Sequence, residues 1–174
     1  MSLRDTHTEG GTLGLLMALP HECGPLRRRI RDPRVDSFAL AGAGHSLPVT
    51  RGYLGERPVV LALSGAGSER AAKAAQALIG EGRVSDLLIL GFAGGLDPKV
   101  RAGALVVASA LVDGESGEVI NPRTPVDWED LPEGSHNLGP VLCLEHVLRG
   151  VSHKREAFQR WQALAVDMES LGAA

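Results

Sequence analysis

The chain has 174 residues, 44% of them hydrophobic and 22% charged, with a formal net charge of −3. That length suits one domain and buries roughly 70% of the unfolded surface, so neither metal nor disulfide is needed to hold a core. The near-balanced charge and 3% aromatic content argue against nucleic-acid binding, and the apolar content argues against disorder.

Residues 1–11 are polar and mixed in charge, without an apolar stretch, which predicts a flexible segment and no signal peptide. Residues 13–19 (LGLLMAL), bounded by glycine and proline, predict a buried strand. Pro20 sets a turn, and residues 22–30 have helical character, with Arg27, Arg28 and Arg29 at the negative end of the dipole. Residues 48–54 and 57–63 flank Gly55-Glu56 as a hairpin. Ser64-Gly65-Ala66-Gly67 is a loop ahead of an alanine-rich helix through about residue 79. Residues 86–90 (DLLIL) predict a strand closed by Gly91-Phe92-Ala93-Gly94-Gly95, and 103–112 (GALVVASALV) a further one.

Residues 113–139, with Trp128 inside, read as a long excursion loop, and loops beyond ~15 residues are usually functional or mobile. A strand at 140–148, a helix at 153–161 and a strand at 164–168 follow. Leu171 to Ala174 reads as a first helical turn, so the expectation is a shortened chain or one completed by a partner. Strands that are continuous apolar runs alternating with helices predict an α/β fold, its sheet covered on both faces. No run approaches the ~18 apolar residues of a membrane span. Cys23 and Cys143 form no CxxC pair and read as buried, reduced residues. The expectation is a cytoplasmic, soluble protein with one domain over residues 12–174.

Chemistry concentrates at the strand ends. The Ser64–Arg70 stretch follows a strand and opens a helix, so its amides either hold an anion or simply make a tight turn. Arg70 stands where a dinucleotide fingerprint would have its third glycine. The glycines of residues 91–95 lie past a strand's carboxyl end, where open α/β sheets bind ligands, although glycines also simply turn chains. Glu22 either satisfies a helix dipole or presents its carboxylate at the sheet edge. Asp167 and Glu169 either cap a helix or point into a crevice. If the sheet is parallel there, Glu22 and Glu169 would flank one cleft, and paired carboxylates suit glycosidic chemistry with its positive, oxocarbenium-like transition state. The histidines show no ligand spacing, and no GxSxG elbow is present. Ser64 and Ser170 read as hydrogen-bonding or capping residues, and Lys154 and Arg155 as solvated surface.

Taken in order, Leu16-Met17-Ala18-Leu19-Pro20-His21-Glu22, Ser64-Gly65-Ala66-Gly67, Gly91-Phe92-Ala93-Gly94-Gly95-Leu96-Asp97-Pro98 with Arg101-Ala102-Gly103, and Ala165-Val166-Asp167-Met168-Glu169-Ser170 resemble the nucleoside phosphorylase/nucleosidase superfamily. That group includes methylthioadenosine/S-adenosylhomocysteine nucleosidase and futalosine hydrolase. The VDMES ending with Lys154 upstream is most similar to the hopanoid-associated phosphorylase branch, which is linked to removing adenine from adenosylhopane. The resemblance implies a purine nucleoside phosphorylase-like, three-layer α/β/α fold with a central mixed sheet, shortened at its C-terminus. It implies cleavage of the N-glycosidic bond of an adenosine-type nucleoside with a bulky 5′ substituent, in a homo-oligomer. Glu22 would position or activate the attacking water. Met168 would pack on the ribose and Glu169 would accept its hydroxyls. Gly65, Phe92, Ala93 and Gly94 would line the ligand. No metal or cofactor is implied, with phosphate as the one candidate co-substrate.

The chain departs from the family pattern in three places. The family's aspartate that protonates the leaving purine lies on a strand beyond the VDMES helix, after the last residue of this sequence. Its loss would cost ~10²–10⁴-fold, and the alternative expectation is therefore a nucleoside-binding paralogue without turnover. Phe92 stands where a serine often helps bind water or phosphate, which a phenyl ring cannot do. The base-stacking segment after the long loop is not recognisable.

Overall fold

A computed structural model describes residues 11–40, 46–123, 132 and 134–174. The flexible segment expected over residues 1–11 falls, apart from Gly11, outside the described residues, as does Trp128. The chain forms two compact units, Met1–Gly91 with Ala173 and Phe92–Gly172 with Ala174.

The first unit holds β1 (Leu13–Met17), α1 (Pro20–Arg27), β2 (Arg31–Ala39), β3 (Ser46–Leu54), β4 (Arg57–Leu63), α2 (Ser68–Gly80) and β5 (Asp86–Ile89). Its five strands form a mixed sheet in the order β2-β3-β4-β1-β5. β1 runs parallel to β4 and β5, whereas β2-β3 and β3-β4 are antiparallel. The central strands bury both faces because strand side chains alternate. Leu16, Val60 and Ala62 pack with Ala71, Ala74, Ala75 and Leu78 of α2. Leu15, Met17, Val59 and Leu61 pack on the opposite face with Cys23 of α1 and Ile30. This two-sided burial is why β1 and β4 read as unbroken apolar runs. Small alanines bring α2 close to the sheet, and Leu78 there is fully buried. Cutting such a leucine back to alanine costs about 2–5 kcal/mol.

β2 was not legible as a strand. Its RDPRVDSFA sequence buries only Phe38, and backbone pairing with β3 holds it as an edge. The register shifts between Arg31 and Arg34, where Asp32 has φ 49° and Pro33 follows, an arrangement that edge strands tolerate.

The second unit holds β6 (Gly94–Gly95), β7 (Leu105–Asp113), β8 (Val119–Ile120), β9 (His136–Cys143), α3 (Val151–Trp161), β10 (Ala165–Asp167) and the four-residue α4 (Ser170–Ala173). Its sheet, also five-stranded and mixed, has the order β6-β10-β9-β7-β8, with β7, β9 and β10 parallel. Leu142, Val112 and Val166 pack against Ala157, Phe158 and Trp161 of α3, while Leu111, Val141 and Cys143 fill the other face. The α/β class and the mixed strand pairing are as expected, and the strands fall into two five-stranded sheets where one central sheet was expected. The stretch read as one long loop contains β8, and the strand expected at 140–148 starts earlier, at His136, because β9 pairs with β7 from Leu105 onward.

Candidate functional site

In the first unit, the carboxyl ends of β1, β4 and β5 come side by side. The ladder runs on past the strands: the Ser64 amide donates to Met17 O at 2.9 Å, Gly65 to Ala18 O at 3.0 Å and Leu90 to Leu16 O at 2.9 Å. Gly65 is thereby fixed beside Ala18, and Glu22 closes the same edge from the first turn of α1. Glu22 Oε2 accepts the amides of Leu19 at 2.7 Å and Ala18 at 3.1 Å. Those donors belong to the α1 N-terminus, whose dipole favours an anion there. Its other oxygen, Oε1, lies 3.1 Å from where a Cβ would stand at Gly91. The two sequence readings of Glu22 are therefore both realised, one oxygen capping the helix and the other facing the end of β5.

The Gly65 turn has φ 78°, and a Cβ there would meet Arg70 Nη1 at 3.0 Å, so the guanidinium lies across the turn. Ser64 donates its hydroxyl to Gly65 O at 2.8 Å, a hydrogen bond within the turn and not a helix cap. Ser64, Arg70 and Lys73 line a cavity of about 350 Å³ beside the turn. Lys73 there is paired with Glu69 at 2.6 Å, and that lysine holds the Glu69 carboxyl below its ordinary value.

In the second unit the carboxyl ends of three parallel strands place Asp113, Cys143 and Asp167 in register. Asp113 is held low by the Ser116 hydroxyl at 2.6 Å and the Glu115 amide at 2.8 Å. Burial, and then the Asp167 carboxylate beside it, push the Cys143 thiol up. Asp167 Oδ2 accepts both the amide of Ser170, at 3.1 Å, and its hydroxyl. Among the described residues, its Oδ1 is buried without a hydrogen-bond partner. Met168 and Glu169 sit within this braced turn, and Glu169 Oε2 accepts the Met168 amide at 3.3 Å. Gly94 pairs with Val166 just upstream of that turn. The second unit thus brings Gly94 close in register to the Met168-Glu169 turn, with Ala93 and Phe92 leading into it. Phe92 is 72% exposed.

Sequence reasoning missed one neighbour of this turn. Lys154, read as solvated surface, is partly buried, and its Nζ lies 3.5 Å from a Cβ placed on Gly94. The available signal was a lysine in the first turn of a helix, where the dipole disfavours it. Among the described residues no group of three or more His, Cys, Asp or Glu side chains is placed to hold a metal ion, and no helix is long and apolar enough to cross a membrane.

Among curated proteins, none matches this chain. Solved structures do. A 5′-methylthioadenosine/S-adenosylhomocysteine nucleosidase from S. pneumoniae, bound to a transition-state inhibitor, superposes with TM-score 0.82 at 19% identity, over 93% of this chain and 77% of that one. The corresponding enzyme from Neisseria meningitidis, in complex with methylthio-immucillin-A, gives 0.76 at 22% identity over 94% and 78%. That from Colwellia psychrerythraea, in complex with adenine, gives 0.76 at 22% over 95% and 75%. At these identities the likeness is one of fold. The sequence profile described as Phosphorylase superfamily matches residues 12–127. With that match spanning more than half of its residues, the chain belongs to the phosphorylase superfamily.

Proposed function

We propose that the chain cleaves the N-glycosidic bond of an adenosine-type nucleoside carrying a bulky 5′ substituent, with no cofactor other than phosphate as a candidate co-substrate. The observation that carries this reading is the Glu22 carboxylate, fixed by the Ala18 and Leu19 amides with its second oxygen over Gly91. A carboxylate held in one orientation is suited to accept a proton from water as the water oxygen bonds to C1′. The C1′–N bond breaks with its electron pair passing to the base, which takes up a proton. Glu169, in the turn that Asp167 and Ser170 brace, would accept the ribose hydroxyls, and its negative charge would favour the positive sugar of the transition state. Met168 would pack on the ribose, and Gly65, Phe92, Ala93 and Gly94 would line the ligand. The superfamily membership and the fold likeness support this reaction class.

The finer reading is that the natural substrate belongs to hopanoid biosynthesis, and that residues 12–174 work as one domain in a cytoplasmic homo-oligomer. The test is chromatography for free adenine after incubation with 5′-substituted adenosines, with and without phosphate. Adenine release is expected, and phosphate dependence would name the reaction. Nucleoside binding without release under either condition would overturn the reading in favour of a binding protein.

A further inference from the structure

The second unit holds a cavity of about 630 Å³, and no residue of the Gly94 or Met168-Glu169 turns lines it. One wall is α3, where His153, Glu156, Ala157, Arg160 and Trp161 follow the spacing of a single helical face. The other wall is the chain leaving β9, from Leu144 to Arg149. The floor is apolar. Leu142 is fully buried there, and Leu144, Leu148, Ala157 and Trp161 pack in the same cluster while keeping part of their surface open. The rim carries exposed charge: Arg149, Arg160 and a single acid, Glu156. Among the described residues none of these three forms an ion pair. The Arg160 guanidinium is held 4.5 Å from the centre of the Trp161 ring, which orders it without neutralising it. Two arginines against one glutamate, with His146 and His153 neutral, leave the lining with one positive charge to spare. The volume lies within the ~300–1,000 Å³ that small-molecule sites occupy, and an apolar body with few charged groups is their usual lining.

We infer that this cavity binds an amphiphilic monocarboxylate, with its hydrocarbon on the Leu144, Leu148 and Trp161 floor and its carboxylate on Arg149 and Arg160. An apolar floor offers nothing to a bare inorganic ion, and a cationic rim repels an amine. A guanidinium presents parallel N–H donors that match the two oxygens of a carboxylate. A single negative charge balances the lining, whereas a dianion would exceed it. Burying the chain removes apolar surface from water at both partners, which supplies the larger part of the affinity. The site shares no residue with those assigned to nucleoside cleavage and does not depend on that assignment.

The test is calorimetric titration of the full chain at pH 7 with octanoate, 1-octanol and protonated octylamine, which share a chain and differ in the head. Octanoate should bind saturably, octanol about tenfold or more weakly, and octylammonium not at all. Arg149→Gln and Arg160→Gln should each weaken octanoate by about tenfold while leaving octanol unchanged. Ala157→Phe, which fills the floor and keeps both arginines, should weaken octanoate and octanol alike. Far-ultraviolet circular dichroism shows whether each variant is folded. Octanol binding as tightly as octanoate, equal octanoate affinity in the folded arginine variants, or no saturable octanoate binding at millimolar concentration overturns the inference. Displacement of octanoate by a 5′-substituted adenosine also overturns it, because the cavity would then belong to the nucleoside.

Discussion

Glu22 Oε1 lies 3.1 Å from the position a Cβ would take at Gly91, closer than carbon and a carboxylate oxygen comfortably approach. The glycine at the end of β5 therefore sets where the carboxylate rests. Gly91→Ala should push it aside by a few tenths of an ångström. Because small misplacements of a reacting group can cost up to about 10²-fold, adenine release should fall well below wild type while the thermal midpoint barely moves. Glu22→Gln, which keeps the shape but loses the base, should be at least as damaging. A fully active Glu22→Gln protein would remove Glu22 from the reaction.

Glu169 is assigned to the ribose hydroxyls. Its removal as a charge should show in binding more than in folding. Hydrogen bonds to a charged group contribute about 1.5–3 kcal/mol, so Glu169→Gln should weaken nucleoside affinity roughly 10–100-fold in calorimetry. Unchanged affinity would mean that the ribose is held elsewhere.

Ser170 braces the same turn from below. Its amide and hydroxyl both reach Asp167 Oδ2, while Oδ1 is already buried without a partner among the described residues. Ser170→Ala leaves this carboxylate with one bond fewer, which costs about 1–3 kcal/mol when the group is buried. The expected result is a clearly lower thermal midpoint, together with weaker nucleoside binding because Met168 and Glu169 lose their support. A drop in stability with nucleoside affinity intact would separate the brace from the site.

Where side chains decide the structure, the sequence could be read. The runs that became β1, β4 and β5, the hairpin around Gly55 and the alanine face of α2 all bury apolar residues at the period of their element. What could not be read is held by the backbone or by distant partners. β2 is an edge strand with one buried side chain, and β6 is two glycines that are a strand only because Val166 and Ala165 pair with them. The site divides in the same way. Glu22 and Gly65 were legible because they sit at strand ends, and the strand ends follow from the apolar runs. The role of Gly91 as a spacer, and Lys154 turning inward to Gly94, depend on approaches between segments far apart in sequence, which no local pattern encodes.

Cys143 offers a check on the second unit that needs no substrate. Burial first and the neighbouring Asp167 charge second raise its pKa above the ordinary thiol value of 9.0. In the unfolded chain the thiol ionises near that ordinary value, whereas in the folded chain it keeps its proton. A raised folded pKa gives a stability contribution that is fully present below the unfolded pKa and is lost as pH rises toward the folded one. The thermal midpoint should therefore decline from about pH 9 upward, with part of that slope owed to Cys143 alone. Other groups titrate in the same range, so the measurement is a difference: Cys143→Ala should start less stable at pH 7, for the small cavity it leaves, and lose stability less steeply between pH 8 and pH 10. The same burial predicts that Cys143 resists alkylation in the folded protein and reacts once it unfolds. Parallel slopes in the two proteins, or ready alkylation of native Cys143, would show that the thiol is not enclosed beside Asp167.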